Sequence, residues 1–230
     1  MLRNEINNIE SRFKKRKYSN KIYNLLEPIV NLMEQEKERA LIKILNKKFG
    51  VHFNDKKLLE IGGGIGTNIY LFLKLGFLPQ NIFFNELIEE RFNKAKSLLP
   101  DQVNFYYGNA LDLNFEKEYF DIIYQSTVFT SILDYSFKKL LAEKLWEMIK
   151  PGGIFLWYDF IYDNPFNKDV KGVSTKEIKY LFPNGRIKYY RVTLLPQLAR
   201  IVTKIHPGFY HVFNVLPFLR THVLCWIEKK

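Results

Sequence analysis

The chain has 230 residues, of which 47% are hydrophobic and 16% aromatic, and it carries a net charge of +11. This composition excludes a disordered tail, and no apolar run reaches the ~18 residues that a membrane-spanning helix needs. The single cysteine, Cys225, excludes an intrachain disulfide framework. Together with a start that is unlike a secretory signal, it predicts a cytoplasmic protein.

The positive charge has two interpretations. It can serve an acidic partner such as nucleic acid, phosphorylated sugars or an anionic membrane face. It can also reflect codon usage, because Lys, Asn, Ile, Phe and Tyr are abundant together. The basic residues are scattered, apart from the run RFKKRK at 12–17.

The N-terminal part, residues 1–50, predicts a helical arm or lid. A basic, tyrosine-containing stretch precedes Pro28, and proline suits the first turn of a helix. Apolar residues then recur at helical spacing, with charged residues on the other side. The spacing predicts an amphipathic helix over 28–48.

From residue 57 onward, short apolar runs alternate with helical stretches. Strands are predicted at 57–61, 81–86, 103–107, 120–125 and 153–160, with helices at 67–75, 88–98 and 136–149. A turn signal, Pro151-Gly152-Gly153, precedes the fifth strand. Two more strands, at 186–194 and 220–228, enclose an aromatic stretch punctuated by prolines.

Nearly continuous apolar strands are typical of a parallel sheet that is covered on both faces. We therefore predict an α/β fold: a Rossmann-like, doubly wound, mostly parallel seven-stranded sheet with helices on both faces and an N-terminal helical arm. Residues 1–230 are predicted to form one domain, with a ligand-binding core over 51–160 and a second functional segment with closing strands over 161–230.

The first strand runs into LLEIGGGIGT, and in a doubly wound sheet ligands bind at this edge. The dinucleotide fingerprint G-x-G-x-x-G fails in both registers, because Thr67 or Ile65 stands where a glycine is required. A P-loop fails as well, because no G-K-[ST] follows. The alternative that the glycines only make a tight turn also stays open.

The spacing that fits is Glu60-x-Gly62-x-Gly64-x-Gly66, followed by Glu86 at the end of the second strand. A carboxylate at that position can accept both hydroxyls of a ribose. The glycines let the backbone approach a ligand that lacks phosphate, and Glu60 can help to hold a cationic amine, directly or through water. These requirements match an adenosyl group that is joined to an amino acid.

At these residues the sequence resembles the class I S-adenosylmethionine-dependent methyltransferases. The resemblance covers about 57–160 and rests on LLEIGGGIGT, FFNEL (83–87), YYGNALDL (106–113) and YFDIIYQSTVF (119–129), in that order. It implies S-adenosylmethionine as cofactor, S-adenosylhomocysteine as product, and no metal. The implied cofactor-binding residues are Tyr18, Glu60, Gly62, Gly64, Gly66, Glu86, Leu87, Asn109, Ala110, Leu111 and Gln125. Asn109 departs from the pattern, because family members often carry Asp there.

Segments 157–183 and 216–222 resemble a bacterial subgroup whose genes often lie in clusters for surface polysaccharide. The resemblance implies O-methylation of a small molecule or glycan, which the charge allows to be anionic. Asp159, after the fifth strand, is the predicted general base; alternatively it holds the loop near Asn164 and Pro165. His206 is the second catalytic candidate.

Two other functions stay open: an RNA methyltransferase, which the charge favours, and a binding module without turnover. Gln125-Ser126-Thr127-Val128 stands where base N-methyltransferases carry Asn/Asp-Pro-Pro-aromatic, which makes nucleic acid a less favoured partner. No His, Cys, Asp and Glu cluster has metal-ligand spacing. The arm around Tyr18 and the segment 195–219 are predicted to close over the acceptor. The sequence does not indicate an oligomeric state.

Overall fold

The computed structural model describes residues 2–15, 24–165 and 167–230. Within these residues seven strands form one sheet. They are β1 (Leu58–Ile61), β2 (Ile82–Glu86), β3 (Asn104–Tyr107), β4 (Phe120–Ser126), β5 (Ile149–Phe160), β6 (Arg186–Leu194) and β7 (Arg220–Glu228). The helices are α1 (Leu2–Lys15), α2 (Pro28–Phe49), α3 (Ile69–Lys74), α4 (Glu89–Leu98), α5 (Tyr135–Met148), α6 (Thr175–Leu181), α7 (Pro196–Ile205) and α8 (Gly208–Asn214).

The strand order is β3-β2-β1-β4-β5-β7-β6. Strands β1 to β5 pair in parallel, whereas β7 pairs antiparallel with both β5 and β6. The predicted mostly parallel, doubly wound sheet is confirmed, with an antiparallel hairpin at one side. The chain order reverses between β1 and β4, and the loops after these strands lie at the carboxyl edge of the sheet.

The two faces of the sheet are covered by different helices. On one face, buried side chains of α5 and α6 pack on the sheet together with Ile9 of α1. On the other, α2, α3 and α4 contribute the buried apolar side chains. Because both faces are covered, β1 and β2 are buried along their whole length and β4 along most of its length.

Helices α7 and α8 lie between β6 and β7 in the chain and pack against the first turns of α2. Leu194, Ala199, Val202 and Tyr210 form a small cluster, which residues 29–33 of α2 contact. The Tyr210 hydroxyl also donates to Glu36 Oε2 of α2 at 2.6 Å. The segment 195–219 is therefore attached to α2 at the carboxyl edge.

Several local features differ from the prediction, which placed no helix at α6, α7 or α8. Helix α6 was not predicted, because seven residues give too short a helical pattern; its Ser174 N-cap, which accepts from the Glu177 N–H at 3.1 Å, was the available signal. The turn signal at 151–153 lies inside β5 as an irregularity in its pairing with β4. The chain bulges there because Pro151 has no N–H and Gly152 has a φ of 74°.

Candidate functional site

The glycine loop after β1 bends through left-handed backbone at Gly62, Gly64 and Gly66, whose φ values are 57°, 65° and 84°. The Gly63 N–H donates to the Asn85 carbonyl of β2 at 3.0 Å. A side chain at Gly64 would be strained by its φ and would meet the guanidinium of Arg91. The loop is therefore held close to the ends of both β1 and β2.

Glu86 joins this loop to the start of α4. Its Oε2 accepts from the Gly64 N–H at 2.7 Å, and its Oε1 accepts from the Ile88 N–H at 2.8 Å. A carboxylate has about four lone-pair directions, so two stay available to hydroxyl donors. The structure brings Gly64 and Glu86 together, as a ribose site requires.

Arg91 of α4, which the sequence analysis did not identify, lies beside this carboxylate. Its Nη1 is 3.9 Å from Glu86 Oε2, and its guanidinium lies 5.2 Å from the ring centre of Phe13 on α1. The guanidinium, the flexible end of a long side chain, lies against the backbone of Gly64. The sequence signal for Arg91 was its position five residues after Glu86, on the helix that follows β2.

Glu60 points away from the surface, toward α2. Its Oε1 accepts from Asn68 Nδ2 at 2.8 Å, and Asn68 Oδ1 accepts from Lys37 Nζ at 3.0 Å. Its Oε2 is buried and has no hydrogen-bond partner among the described residues. Burial raises the pKa of Glu60 to about 8. This orphaned oxygen fits a donor group or water that arrives with a ligand, but the role of Glu60 in binding a cofactor stays a prediction.

The predicted adenine-binding stretch forms a 3₁₀ turn after β3. Asn109 Oδ1 accepts from the Leu111 N–H at 3.0 Å and caps this turn. Leu87, Ala110 and Leu111 are partly buried and pack against the core. A contact between Asn109 and an adenine amino group would therefore share an oxygen that the turn already uses.

Asp159 is fully buried at the end of β5. Its Oδ1 accepts from the Thr130 hydroxyl at 2.6 Å and its Oδ2 from Gln125 Nε2 at 3.2 Å. Gln125 Oε1 in turn accepts from the Val128 N–H at 3.0 Å. These bonds tie Asp159 to the turn after β4, and the alternative contact with the loop near Asn164 stays a prediction. Burial raises the pKa of Asp159 to about 7.

The second catalytic candidate, His206, is exposed between α7 and α8, where its Nδ1 accepts from the Gly208 N–H at 3.0 Å. Asp159 is buried in the sheet whereas His206 is exposed, so the structure does not bring these two predicted catalytic groups together. His222 of β7 stacks on Tyr158 with 5.1 Å between ring centres, and burial lowers its pKa to about 3. Tyr18 lies outside the described residues.

Helix α1 crosses the carboxyl edge and is fixed to the turn after β4. Glu5 Oε1 accepts from the Leu133 N–H at 2.9 Å and from Arg12 Nη2 at 2.8 Å. Arg12 Nη2 also donates to the Ser131 carbonyl at 3.0 Å. We call these contacts the α1 latch. Because Phe13 of the same helix lies at Arg91, α1 joins the turn after β4 to the glycine loop.

No group of three or more His, Cys, Asp or Glu within 2–15, 24–165 and 167–230 is suited to a metal ion. The same residues contain no helix that is long and apolar enough to cross a membrane.

Comparison with known proteins agrees with this geometry. Residues 59–157, less than half of the chain, match the family model described as a methyltransferase domain. An uncharacterised protein of Haemophilus influenzae is 31% identical over 108 residues, which are 46% of this chain and 43% of that protein. A sterol 24-C-methyltransferase of Clavispora lusitaniae is 23% identical over 118 residues, which are 49% of this chain and 30% of that enzyme. The chain spans less than half the length of these relatives.

Solved structures share the fold over most of the chain. A Pyrococcus horikoshii protein has a TM-score of 0.64 at 14% identity and covers 94% of this chain and 100% of its own. An S-adenosylmethionine-dependent methyltransferase of Mesorhizobium loti has a TM-score of 0.60 at 15% identity and covers 83% of this chain and 96% of its own. The fold and the site define a Rossmann-like ligand-binding domain. Residues 59–157 are thus similar to a methyltransferase domain, and the solved structures share the fold of the chain.

Proposed function

We propose that the chain is an S-adenosylmethionine-dependent methyltransferase that binds its donor, and the product S-adenosylhomocysteine, in the loop after β1. The observation that carries this proposal is the Glu86 carboxylate, held by the Gly64 and Ile88 N–H groups with two lone-pair directions left for ribose hydroxyls. The orphaned Glu60 Oε2 adds a buried acceptor beside the same loop. When bound, the donor supplies a methyl group on a cationic sulfur.

The contribution of the protein to such a displacement is mainly positioning. Holding the attacking atom at the methyl carbon can supply roughly 7–11 kcal/mol of the barrier reduction. The turn after β4 lies beside the glycine loop: the Val128 side chain is so close to Gly62 that a side chain at Gly62 would collide with it. Asp159 fixes that turn through Thr130 and Gln125. In this proposal Asp159 is a positioning residue, and His206 remains a second candidate for contact with the acceptor.

The acceptor that we propose is a small molecule or a sugar of a surface glycoconjugate, methylated on oxygen in the cytoplasm of a bacterium. The resemblance of 157–183 and 216–222 supports this choice. Methylation on carbon is the second candidate, because curated sterol 24-C-methyltransferases are among the relatives. In both cases we propose that α7 and α8 cover the acceptor at the carboxyl edge; the predicted contribution of Tyr18 lies outside the described residues.

Calorimetry with S-adenosylmethionine, S-adenosylhomocysteine and NAD tests the donor. We expect both sulfur compounds to bind and NAD to fail. Glu86→Gln removes the charge that accepts the ribose hydroxyls, so the donor Kd should rise about 10- to 100-fold. The matched control is Glu90→Gln, an exposed residue of α4, whose Kd should stay at the wild-type value. Binding of NAD alone would contradict the proposal.

Labelled donor then identifies the acceptor. Nucleotide sugars and glycan fragments test O-methylation, isoprenoid and sterol olefins test C-methylation, and RNA tests the remaining enzymatic alternative. RNA binding through phosphates must weaken steeply as salt rises. Donor binding without label transfer to any of these classes would favour a binding module.

A further inference from the structure

The segment between β6 and β7 exposes a run of large apolar side chains, which we call the apolar ridge. It comprises Ile201 and Ile205 on α7, Phe209 and Val212 on α8, and Val215 and Phe218 after α8. Ile205 is 73% exposed and Phe218 is 72% exposed. Single exposed apolar residues are ordinary, but seven within 201–218, these six and Leu216, mark an interaction surface.

The ridge is not the core-facing side of these helices. Ala199, Val202 and Tyr210 form that side, where they pack with α2. Ile201 and Ile205, one turn apart on α7, extend its apolar side from the buried Val202 into solvent, while Arg200 and Lys204 lie on its polar side. An amphipathic helix at a protein surface normally buries its apolar side. Nothing in the described parts of the chain covers the ridge.

The charges around the ridge identify the kind of partner. Residues 178–227 contain seven Lys or Arg and no Asp or Glu, and an acidic group that contacts α8 is Glu36 of α2, which accepts from the core-facing Tyr210. Arg200 and Lys204 are exposed and each precedes a ridge isoleucine by one position, so they flank the ridge along α7. Exposed apolar side chains with flanking cations are suited to the interface of an anionic bilayer.

We propose that the apolar ridge docks on the surface of an anionic phospholipid bilayer. The ridge side chains enter the boundary between headgroups and acyl chains, and Arg200 and Lys204 contact lipid phosphates. A second copy of the chain fits less well, because two acid-free segments would face each other. Nucleic acid also fits less well, because isoleucine and valine bind neither phosphates nor base edges. This surface lies beside the carboxyl edge and goes beyond methyl transfer.

Flotation of the full chain with vesicles tests the proposal without any donor or acceptor. We expect recovery with vesicles of equal parts phosphatidylcholine and phosphatidylglycerol, weak recovery with phosphatidylcholine alone, and loss of binding as salt rises. Ile201→Ser with Ile205→Ser should weaken vesicle binding on the order of ten-fold or more. The matched control is Val51→Ser, since Val51 is 74% exposed in the turn that links α2 to β1.

A second pair of variants tests how much the positive charges beside the ridge contribute to vesicle binding. Arg200→Glu with Lys204→Glu should weaken binding to the anionic vesicles by at least about 25-fold, since each cation near such a surface contributes about five-fold. Lys94→Glu with Lys96→Glu makes the same change on exposed positions of α4 and should have a much smaller effect. Circular dichroism checks that all variants are folded.

Failure of the wild-type chain to bind anionic vesicles would overturn the proposal. Equal binding by the ridge variants and their controls would do so as well. Sedimentation provides a third outcome. If the wild-type chain does not bind vesicles but forms a dimer, and Ile201→Ser with Ile205→Ser dissociates that dimer, the ridge is an interface with a second copy. If the chain bound RNA and the same variants abolished that binding, RNA would replace the bilayer as the partner of the ridge.

Discussion

Glu60 and Asp159 are buried carboxyl groups whose pKa values burial raises, to about 8 and about 7. The folded chain therefore keeps protons that the unfolded chain has already released above pH ~4. Their protonated forms contribute stability that is fully present below the unfolded pKa values. That contribution is lost as the pH rises through 7 and 8. Both groups make the folded chain less stable at alkaline pH.

Replacing Glu60 by glutamine should remove much of this pH dependence. Glutamine keeps an oxygen that can accept from Asn68 Nδ2 but never becomes charged. We expect Glu60→Gln to exceed the wild-type free energy of unfolding by about 2 kcal/mol at pH 9, which is roughly 4–8 °C in Tm, and by little at pH 5. Thermal unfolding at both pH values measures this. A constant difference across pH, or one that the exposed control Glu116→Gln reproduces, would contradict it.

The variant Asp159→Asn tests whether Asp159 positions the turn after β4 or acts as a general base. An asparagine oxygen can still accept from the Thr130 hydroxyl, so the turn after β4 should stay in place. We expect turnover within about ten-fold of wild type and an unchanged pH profile, whereas loss of a general base costs about 10²–10⁴-fold. Thr130→Val, which removes the donor to Asp159, should lower turnover in a similar way. A loss of a thousand-fold in Asp159→Asn alone would restore Asp159 as the base.

At the scale of the elements, α1 depends on few contacts. Its latch consists of the hydrogen bonds of Glu5 and Arg12 to the chain at 131–133. Few buried side chains of α1 contact the core, of which Ile9 is one. Such an element opens with a lower free energy than the sheet, because opening breaks little else. We infer that α1 can release the glycine loop while the sheet stays folded.

Glu5→Gln should loosen α1 without unfolding the sheet. The charged acceptor of the Leu133 N–H is lost, which costs about 1–3 kcal/mol. Amide exchange in residues 2–15 should accelerate about 10- to 100-fold, while exchange in β1 and β4 stays at the wild-type rate. Hydrogen exchange with mass spectrometry reads both regions. The control is Glu10→Gln on the same helix; acceleration in that variant as well would show that the latch is not the cause.

Most elements could be predicted from the sequence, because they depend on local patterns. All seven strands were predicted within a few residues, since nearly continuous apolar runs bounded by turns define them. The site was predictable only where its residues follow strands directly, as Gly64 and Glu86 do. Arg91, Thr130 and the α1 latch were missed, because their partners are distant in sequence; Arg12 and Ser131, for example, are 119 positions apart.

At the scale of the whole molecule, charge is unevenly distributed. The 24 acidic residues all lie outside 178–227, so the last quarter of the chain holds a concentrated excess of positive charge. Codon usage alone explains many lysines but not the absence of every Asp and Glu from such a length. Topology brings that segment to β6, α7 and α8, at one end of the sheet. The excess of positive charge is thus concentrated in one segment of the chain.

The position of β7 has a consequence for synthesis. It is the last strand along the chain, yet it lies between β5 and β6, and β6 pairs with no other strand in the sheet. Until residues 220–228 leave the ribosome, β5 presents an open, apolar edge, which is a template for aggregation. Residues 160 and 220 are 60 positions apart, so at a synthesis rate of about 5–20 residues per second the edge of β5 stays unpaired for roughly 3–12 s. A nascent chain stalled before β7 is therefore a natural client for a chaperone that covers strand edges.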